Sequence, residues 1–264
     1  MEDDRGQVSA SAARVYEEFF VPALFREWAP RVADAADLRP GQRVLDVACG
    51  TGVLAREVAR RVGPGSVCGL DCNPGMLAVA RARAPDIEWR PGRAEALPFA
   101  AGEFDAVVSQ FGLMFFEDQA GALRELWRVL GPGGMLGVAV WARLADTPGY
   151  AAMVELLQQL FGERIAAELR APYRLGDPDA LSSLFTEAGI AGAGIETAAG
   201  TARFPSIADW VRTDVKGWTL ADMIDDEQCE MLVRVATVHL HRFERQGGGV
   251  EFSAPAHIAS ARKR

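Results

Sequence analysis

The run Arg43-Val44-Leu45-Asp46-Val47-Ala48-Cys49-Gly50-Thr51-Gly52 constrains this chain more than any other feature. A short apolar stretch carrying one carboxylate empties into a glycine-rich turn. Leu54, Val58 and Val62 then recur at helical spacing, so the segment predicts strand, tight turn and helix. Small residues at Ala48, Gly50 and Gly52 let a ligand approach the backbone, where the unpaired N–H groups of a helix start can meet polar atoms.

Gly50, Gly52 and Ala55 also satisfy the dinucleotide pattern G-x-G-x-x-G/A, so the glycines alone leave the ligand open. Asp46, four positions before Gly50, narrows it. A carboxylate there would repel a pyrophosphate and attract an ammonium group. S-adenosylmethionine carries an ammonium and no phosphate, so the turn favours it over NAD. Asp71, which closes the apolar stretch Ser66–Leu70, follows Gly50 by 21 positions. That is the spacing at which an acid accepts from ribose hydroxyls, and either nucleoside cofactor would use it. Capping the helix that begins at Pro74 is the alternative role.

Three further blocks follow in order: Gly92-Arg93-Ala94-Glu95-Ala96-Leu97-Pro98-Phe99, Phe104-Asp105-Ala106-Val107-Val108-Ser109-Gln110-Phe111 and Leu130-Gly131-Pro132-Gly133-Gly134. With the Val44–Gly52 and Gly69–Leu77 blocks, the set resembles the class I S-adenosylmethionine-dependent methyltransferases. The likeness is strongest to small-molecule enzymes akin to the ubiquinone/menaquinone C-methyltransferases, and it covers roughly residues 40 to 142. The resemblance implies an α/β fold, a doubly wound, mostly parallel seven-stranded sheet, in a single domain over 1–264. It also implies a cofactor-binding core at 40–142. The apolar stripe of 9–35 reads as a helix that either packs on this core or closes as a flap over the cofactor, and 206–246 reads as a helical lid. S-adenosyl-L-methionine is the implied cofactor. Its site would comprise Asp46, Ala48, Cys49, Gly50, Gly52, Asp71, Cys72, Met76, Ala94, Gln110 and Phe111, with Tyr16 from the flap. At the adenine end many relatives carry Asp or Asn where this chain has Arg93, and arginine cannot accept a hydrogen bond. Glu95 is then the candidate acceptor, and Arg93 a candidate to stack on the base.

Methyl transfer needs alignment and exclusion of water more than a conspicuous catalytic group, and no general base declares itself. His239 and His241 lie two positions apart on the lid segment. The acceptor is expected to be small, largely apolar and aromatic or polyketide-like, methylated on oxygen or carbon. Phe111, Phe115 and Trp218 are the candidate walls of its pocket; Phe204 and Trp210 add aromatic surface near the lid. A cofactor-binding partner or sensor protein without methyl transfer is the alternative from another class.

The net charge of −8 opposes broad attraction to nucleic acid. Arg56, Arg60 and Arg61 read as a solvated helix face. No apolar run reaches the roughly 20 residues that span a membrane, and the acidic amino terminus is no secretory signal. Cys49, Cys68, Cys72 and Cys229 lack a metal spacing, and Asp222, Asp225, Asp226 and Glu227 read as helix caps. A cytoplasmic protein with reduced thiols and no bound metal is expected. Strand-like stretches at 193–204 and 251–261 are expected to complete the sheet, and Asp177-Pro178 to open a helix that Gly189 closes.

Overall fold

A computed structural model describes residues 10–217 and 219–264. The chain forms β1 (Val44–Val47), β2 (Val67–Asp71), β3 (Glu88–Pro91), β4 (Phe104–Gln110) and β5 (Leu130–Trp141). Later come β6 (Gly194–Ala198), β7 (Thr201–Phe204), β8 (Val250–Ser253) and β9 (Ala256–Arg262). Seven of these form one sheet in the order β3-β2-β1-β4-β5-β9-β6. The first five are parallel, and β9 runs antiparallel to both neighbours. β1 and β2 are buried along their whole length, which explains their unbroken apolar reading. Strand order reverses between β1 and β4, where open α/β sheets offer a crevice at their carboxyl ends.

The stretch at 193–204 is not one strand. β7 leaves the main sheet and pairs with β8 in a separate two-stranded ribbon. Gly200 makes the corner: a Cβ there would sit 2.2 Å from the Trp28 ring and 2.4 Å from the Ala254 carbonyl oxygen. The stretch at 251–261 divides in the same way between β8 and β9, with Pro255 in the break.

The amino-terminal segment runs as α1 (Ala10–Val15), a wider π-helical stretch Tyr16–Phe25 and α2 (Trp28–Ala35). α3 (Val53–Val62) follows the glycine turn and buries Leu54, Ala55, Val58 and Val62. α4 (Pro74–Arg83) is capped by Asn73, whose side chain accepts from the Gly75 and Met76 N–H groups. The cap is therefore Asn73, and Asp71 is left for other partners. α5 (Gln119–Val129) buries Leu123 and Leu126. α6 (Pro148–Phe161) and α7 (Glu163–Arg170) are parted at Gly162, whose φ is 84°. α8 (Pro178–Glu187) starts on the Asp177 cap as read from sequence, and Gly189 follows at φ 81°. Residues 206–246 hold α9 (Ile207–Lys216) and α10 (Asp226–His239), which pack on each other. Asp225 caps α10 in a reciprocal box with Gln228. No helix among the described residues is long and apolar enough to cross a membrane.

Candidate cofactor and acceptor site

The glycine turn is built for close approach. Ala48, Gly50 and Gly52 all take left-handed backbone angles, with φ of 57°, 54° and 85°, and only glycine does so without penalty. Gly52 is doubly required, because a Cβ would meet the Trp89 ring at 2.4 Å. The Cys49 N–H donates to the Leu70 carbonyl across to β2, so the cysteine serves the turn through its backbone.

Asp46 is 1% exposed, and neither of its carboxylate oxygens closes a hydrogen bond. Burial pushes its carboxyl well above the usual range. The Ala55 N–H opposes this and the Asp71 charge adds to it. A buried, unpaired carboxylate is costly, and a cationic group is what would relieve it; the ammonium of S-adenosylmethionine fits. Asp71 accepts from the Gly50 N–H on one oxygen and the Asn73 N–H on the other, each at 2.8 Å. Burial raises its carboxyl too, with the backbone donors opposing. A carboxylate has about four acceptor positions, so capacity remains on both oxygens for a ribose diol.

Tyr16 closes over this turn, its ring 4.0 Å from where a Gly50 Cβ would lie. Burial raises its phenol well above the ordinary value, helped by Asp71, Glu17 and Asp46, so it stays a neutral donor. Arg56 donates to the Thr51 carbonyl and to Glu17, and Arg61 reaches Asp34, Glu57 and the Pro30 carbonyl. These two arginines therefore tie α3 to the amino-terminal helices and are no free solvated face. Such ties join residues distant in sequence, and helical periodicity cannot show them.

At the other end of the turn Ala94 is buried, Met76 is buried on α4 and Cys72 is exposed. Arg93 pairs with Glu117 at 2.7 Å and lies 3.6 Å from Glu95. Glu95 accepts from the Glu117 N–H. The guanidinium is thus engaged by carboxylates, which leaves Glu95 as the acidic side chain beside Ala94.

Gln110 ends β4 and donates from its side chain to the Phe25 carbonyl at 3.1 Å. Next to it Phe111 turns inward, at φ 57°, and stacks on Trp141 with centroids 3.8 Å apart. Trp28 and Phe25 pack around the pair. A separate narrow crevice opens beyond this cluster. Phe20, Leu24, Phe25, Trp141, Leu169 and Leu220 make its apolar walls, and Glu168, Tyr150, Tyr173 and Asp214 its polar ones. Phe25 stacks on Tyr16 at 5.0 Å, so this pair of rings borders both the cofactor turn and the crevice.

Phe111 and Phe115 do not line that crevice; both pack against the core. An aromatic run after a strand end reads the same whether it faces in or out, and the stack on Trp141 decides it. Trp218 lies outside the described residues, while Phe204 and Trp210 are buried against each other. His239 and His241 are exposed, each with Nδ1 against a carbonyl of its own helical segment, so neither is carried inward. The buried histidine is His257 on β9. Its Nε2 donates to the Gly176 carbonyl, and its Nδ1 shares a hydrogen bond with the Thr197 hydroxyl at 2.8 Å.

Sequence reasoning missed Asp214. Its signal was present: Trp210, Val211, Asp214 and Val215 share one face of α9, and an acid on an apolar face is an anomaly. The carboxyl is 3% exposed, accepts from the Tyr150 hydroxyl at 3.0 Å, and leaves Oδ2 without a hydrogen bond.

Residues 44–134 match the family model of a methyltransferase domain. The demethylmenaquinone methyltransferase of Renibacterium salmoninarum is 42% identical over 134 residues, covering 51% of this chain and 56% of that one. This chain therefore spans little more than half of that relative. The ubiquinone/menaquinone biosynthesis C-methyltransferase UbiE of Bordetella parapertussis is 35% identical over 196 residues, covering 69% of this chain and 76% of the relative. Among solved structures, phosphoethanolamine N-methyltransferase 2 of Haemonchus contortus in complex with S-adenosyl-L-methionine superposes with a TM-score of 0.64. It is 18% identical, covers 98% of this chain and 58% of its own, and so attests the fold. With the sheet order, the glycine turn and the two buried acids, these relationships establish that the chain belongs to the class I S-adenosylmethionine-dependent methyltransferases.

Proposed function

We propose that this chain methylates a small, largely apolar aromatic acceptor of phenol or quinol type, on oxygen or on a ring carbon. One observation carries the reading: the aromatic crevice adjoins the cofactor turn, and the Tyr16–Phe25 pair borders both. Apolar walls with a few polar anchors are usual for small-molecule sites. The names of the quinone-pathway relatives point to the same acceptor chemistry.

Asp46 would hold the cofactor ammonium, and the small side chains of Ala48, Cys49, Gly50 and Gly52 would let the methionine moiety lie close against the turn. Asp71 would take the ribose hydroxyls. Cys72, Met76, Arg93, Ala94 and Glu95 would surround the adenine, and Gln110 and Phe111 would border the methionine chain through their backbone. Bound there, the cofactor supplies a methyl group already activated on a sulfonium. The protein's part is to orient the acceptor and exclude water, an effect of up to about 7–11 kcal/mol. The α9–α10 segment, through Asp214 and Leu220, would act as the lid.

Release of S-adenosylhomocysteine from a panel of phenols and quinols tests the proposal. Leu169→Trp, which fills the crevice, should abolish turnover while S-adenosylhomocysteine still binds. Tight cofactor binding with no turnover over the panel would favour a sensor or partner role. Turnover unaffected by Leu169→Trp would move the acceptor elsewhere.

A further inference from the structure

We propose that Asp214 takes the proton of the acceptor's hydroxyl, and hence that the acceptor carries an ionisable aromatic hydroxyl. The inference rests on the crevice being the acceptor site. Asp214 lines that crevice from α9, is almost fully buried, and uses only one of its oxygens in a hydrogen bond, accepting from Tyr150. An acid so placed is held at a cost, and a hydroxyl donor entering the crevice is the partner that Oδ2 lacks.

The surroundings keep the carboxyl poised. Burial pushes it up to about 8, while the Tyr150 hydroxyl and the nearby Trp210 indole oppose the shift, the indole without closing a hydrogen bond. Tyr150 from α6, Tyr173 from the turn after α7 and Glu168 from α7 are the titratable groups sharing the crevice with it. Several of the charges on α9 and on the elements packed against it are engaged in ion pairs. Arg212 pairs with Glu230, Lys216 with Asp226, Arg203 with Glu251 and Glu17 with Arg56. A carboxyl near neutrality suits general-base work on a phenol.

In the step, the acceptor O–H bond breaks, its proton passes to Oδ2 and the electron pair stays on the oxygen. That oxygen, or the ring carbon beside it, forms the bond to the methyl carbon. The carbon–sulfur bond breaks and its pair returns to sulfur, leaving a neutral thioether. On carbon, the displaced ring hydrogen leaves as a proton and Asp214 returns its own to the oxygen, so one proton is released either way. Tyr150 is the positioning residue for the carboxylate.

Calorimetric titration of 1-naphthol and 1-methoxynaphthalene into the full chain, saturated with S-adenosylhomocysteine, reads this directly. Above pH 8 the naphthol should bind about tenfold tighter than its ether, and Asp214→Asn should bind the two alike. In turnover, kcat/KM should rise to a plateau above about pH 8, and in Asp214→Asn only near the acceptor's own pKa. A preference for naphthol that survives in Asp214→Asn overturns the role of Asp214 and leaves the crevice standing. Failure of both naphthalenes to bind the wild type, with S-adenosylhomocysteine bound, overturns the crevice and this proposal together. Should Asp214→Asn fail to fold, Tyr150→Phe serves: loss of the hydrogen bond should move the kcat/KM rise to higher pH, and an unmoved profile overturns the proposal.

Discussion

Arg56 holds Glu17 from across the fold: its Nη2 lies 2.9 Å from Oε1 of Glu17 while Nη1 donates to the Thr51 carbonyl at 2.6 Å. One guanidinium thus joins the cofactor turn to the residue next to Tyr16. Docking of the amino-terminal helix and shaping of the turn are therefore a single structural event.

Arg56→Met should consequently disturb both. It leaves the Glu17 carboxylate, 8% exposed, with the longer 3.7 Å ion pair to Arg83 in place of a 2.9 Å hydrogen bond, at a cost of about 1–3 kcal/mol. The segment Tyr16–Phe25 should become more sensitive to limited proteolysis, and affinity for S-adenosylhomocysteine should fall. Unchanged proteolysis and affinity would mean that the aromatic contacts of Tyr16 and Phe25 dock this helix unaided.

Asp46 should give cofactor binding a pH dependence. Its folded carboxyl lies above the value of 3.8 that it has when exposed, chiefly through burial. The folded protein therefore holds this proton more tightly than the unfolded chain does. The resulting stability is complete below 3.8 and is lost as pH rises through the folded value. An ammonium ligand prefers the ionised acid, so affinity for S-adenosylhomocysteine should rise with pH over that same window. Asp46→Asn should bind weakly and lose the slope attributable to this acid; equal slopes in the two proteins would refute it.

Phe111→Ala should act on stability. The ring lies between Trp141 and Trp28 and is 5% exposed, so truncation should cost about 3–5 kcal/mol in urea unfolding. A loss of acceptor affinity with unchanged stability would instead restore Phe111 as a wall of the acceptor site.

What could be read from the sequence follows from which interactions are local. The glycine turn, Asp71 at its strand end and the Asp177 and Asp225 caps each depend on neighbours in the chain, and all appear where spacing puts them. Side-chain direction depends on distant partners. Phe111 faces Trp141, Arg56 faces Glu17, and His239 turns to its own helix; periodicity distinguishes none of these from their alternatives. The π-helical stretch was equally hidden, because its apolar stripe satisfies an α-helix as well. Asp214 was legible as an exception to the stripe on α9, and only the crevice gives the exception a meaning.

Asp214 should also limit the stability of the fold. Its carboxyl sits at about 8 in the folded protein against 3.8 for an exposed aspartate. Between these values the folded protein retains a proton that the unfolded chain releases, so wild-type stability declines as pH rises from 3.8 to about 8. Above that range both states are ionised and the effect levels off. Asn in its place keeps an acceptor for the Tyr150 hydroxyl and carries no charge to desolvate. Asp214→Asn should therefore match the wild type in Tm near pH 4 and exceed it increasingly towards pH 8, by about 2–4 °C for each kcal/mol relieved. Thermal scans across that range measure the gap. A gap that stays constant with pH would mean that the carboxyl titrates normally, and that burial on α9 does not raise it.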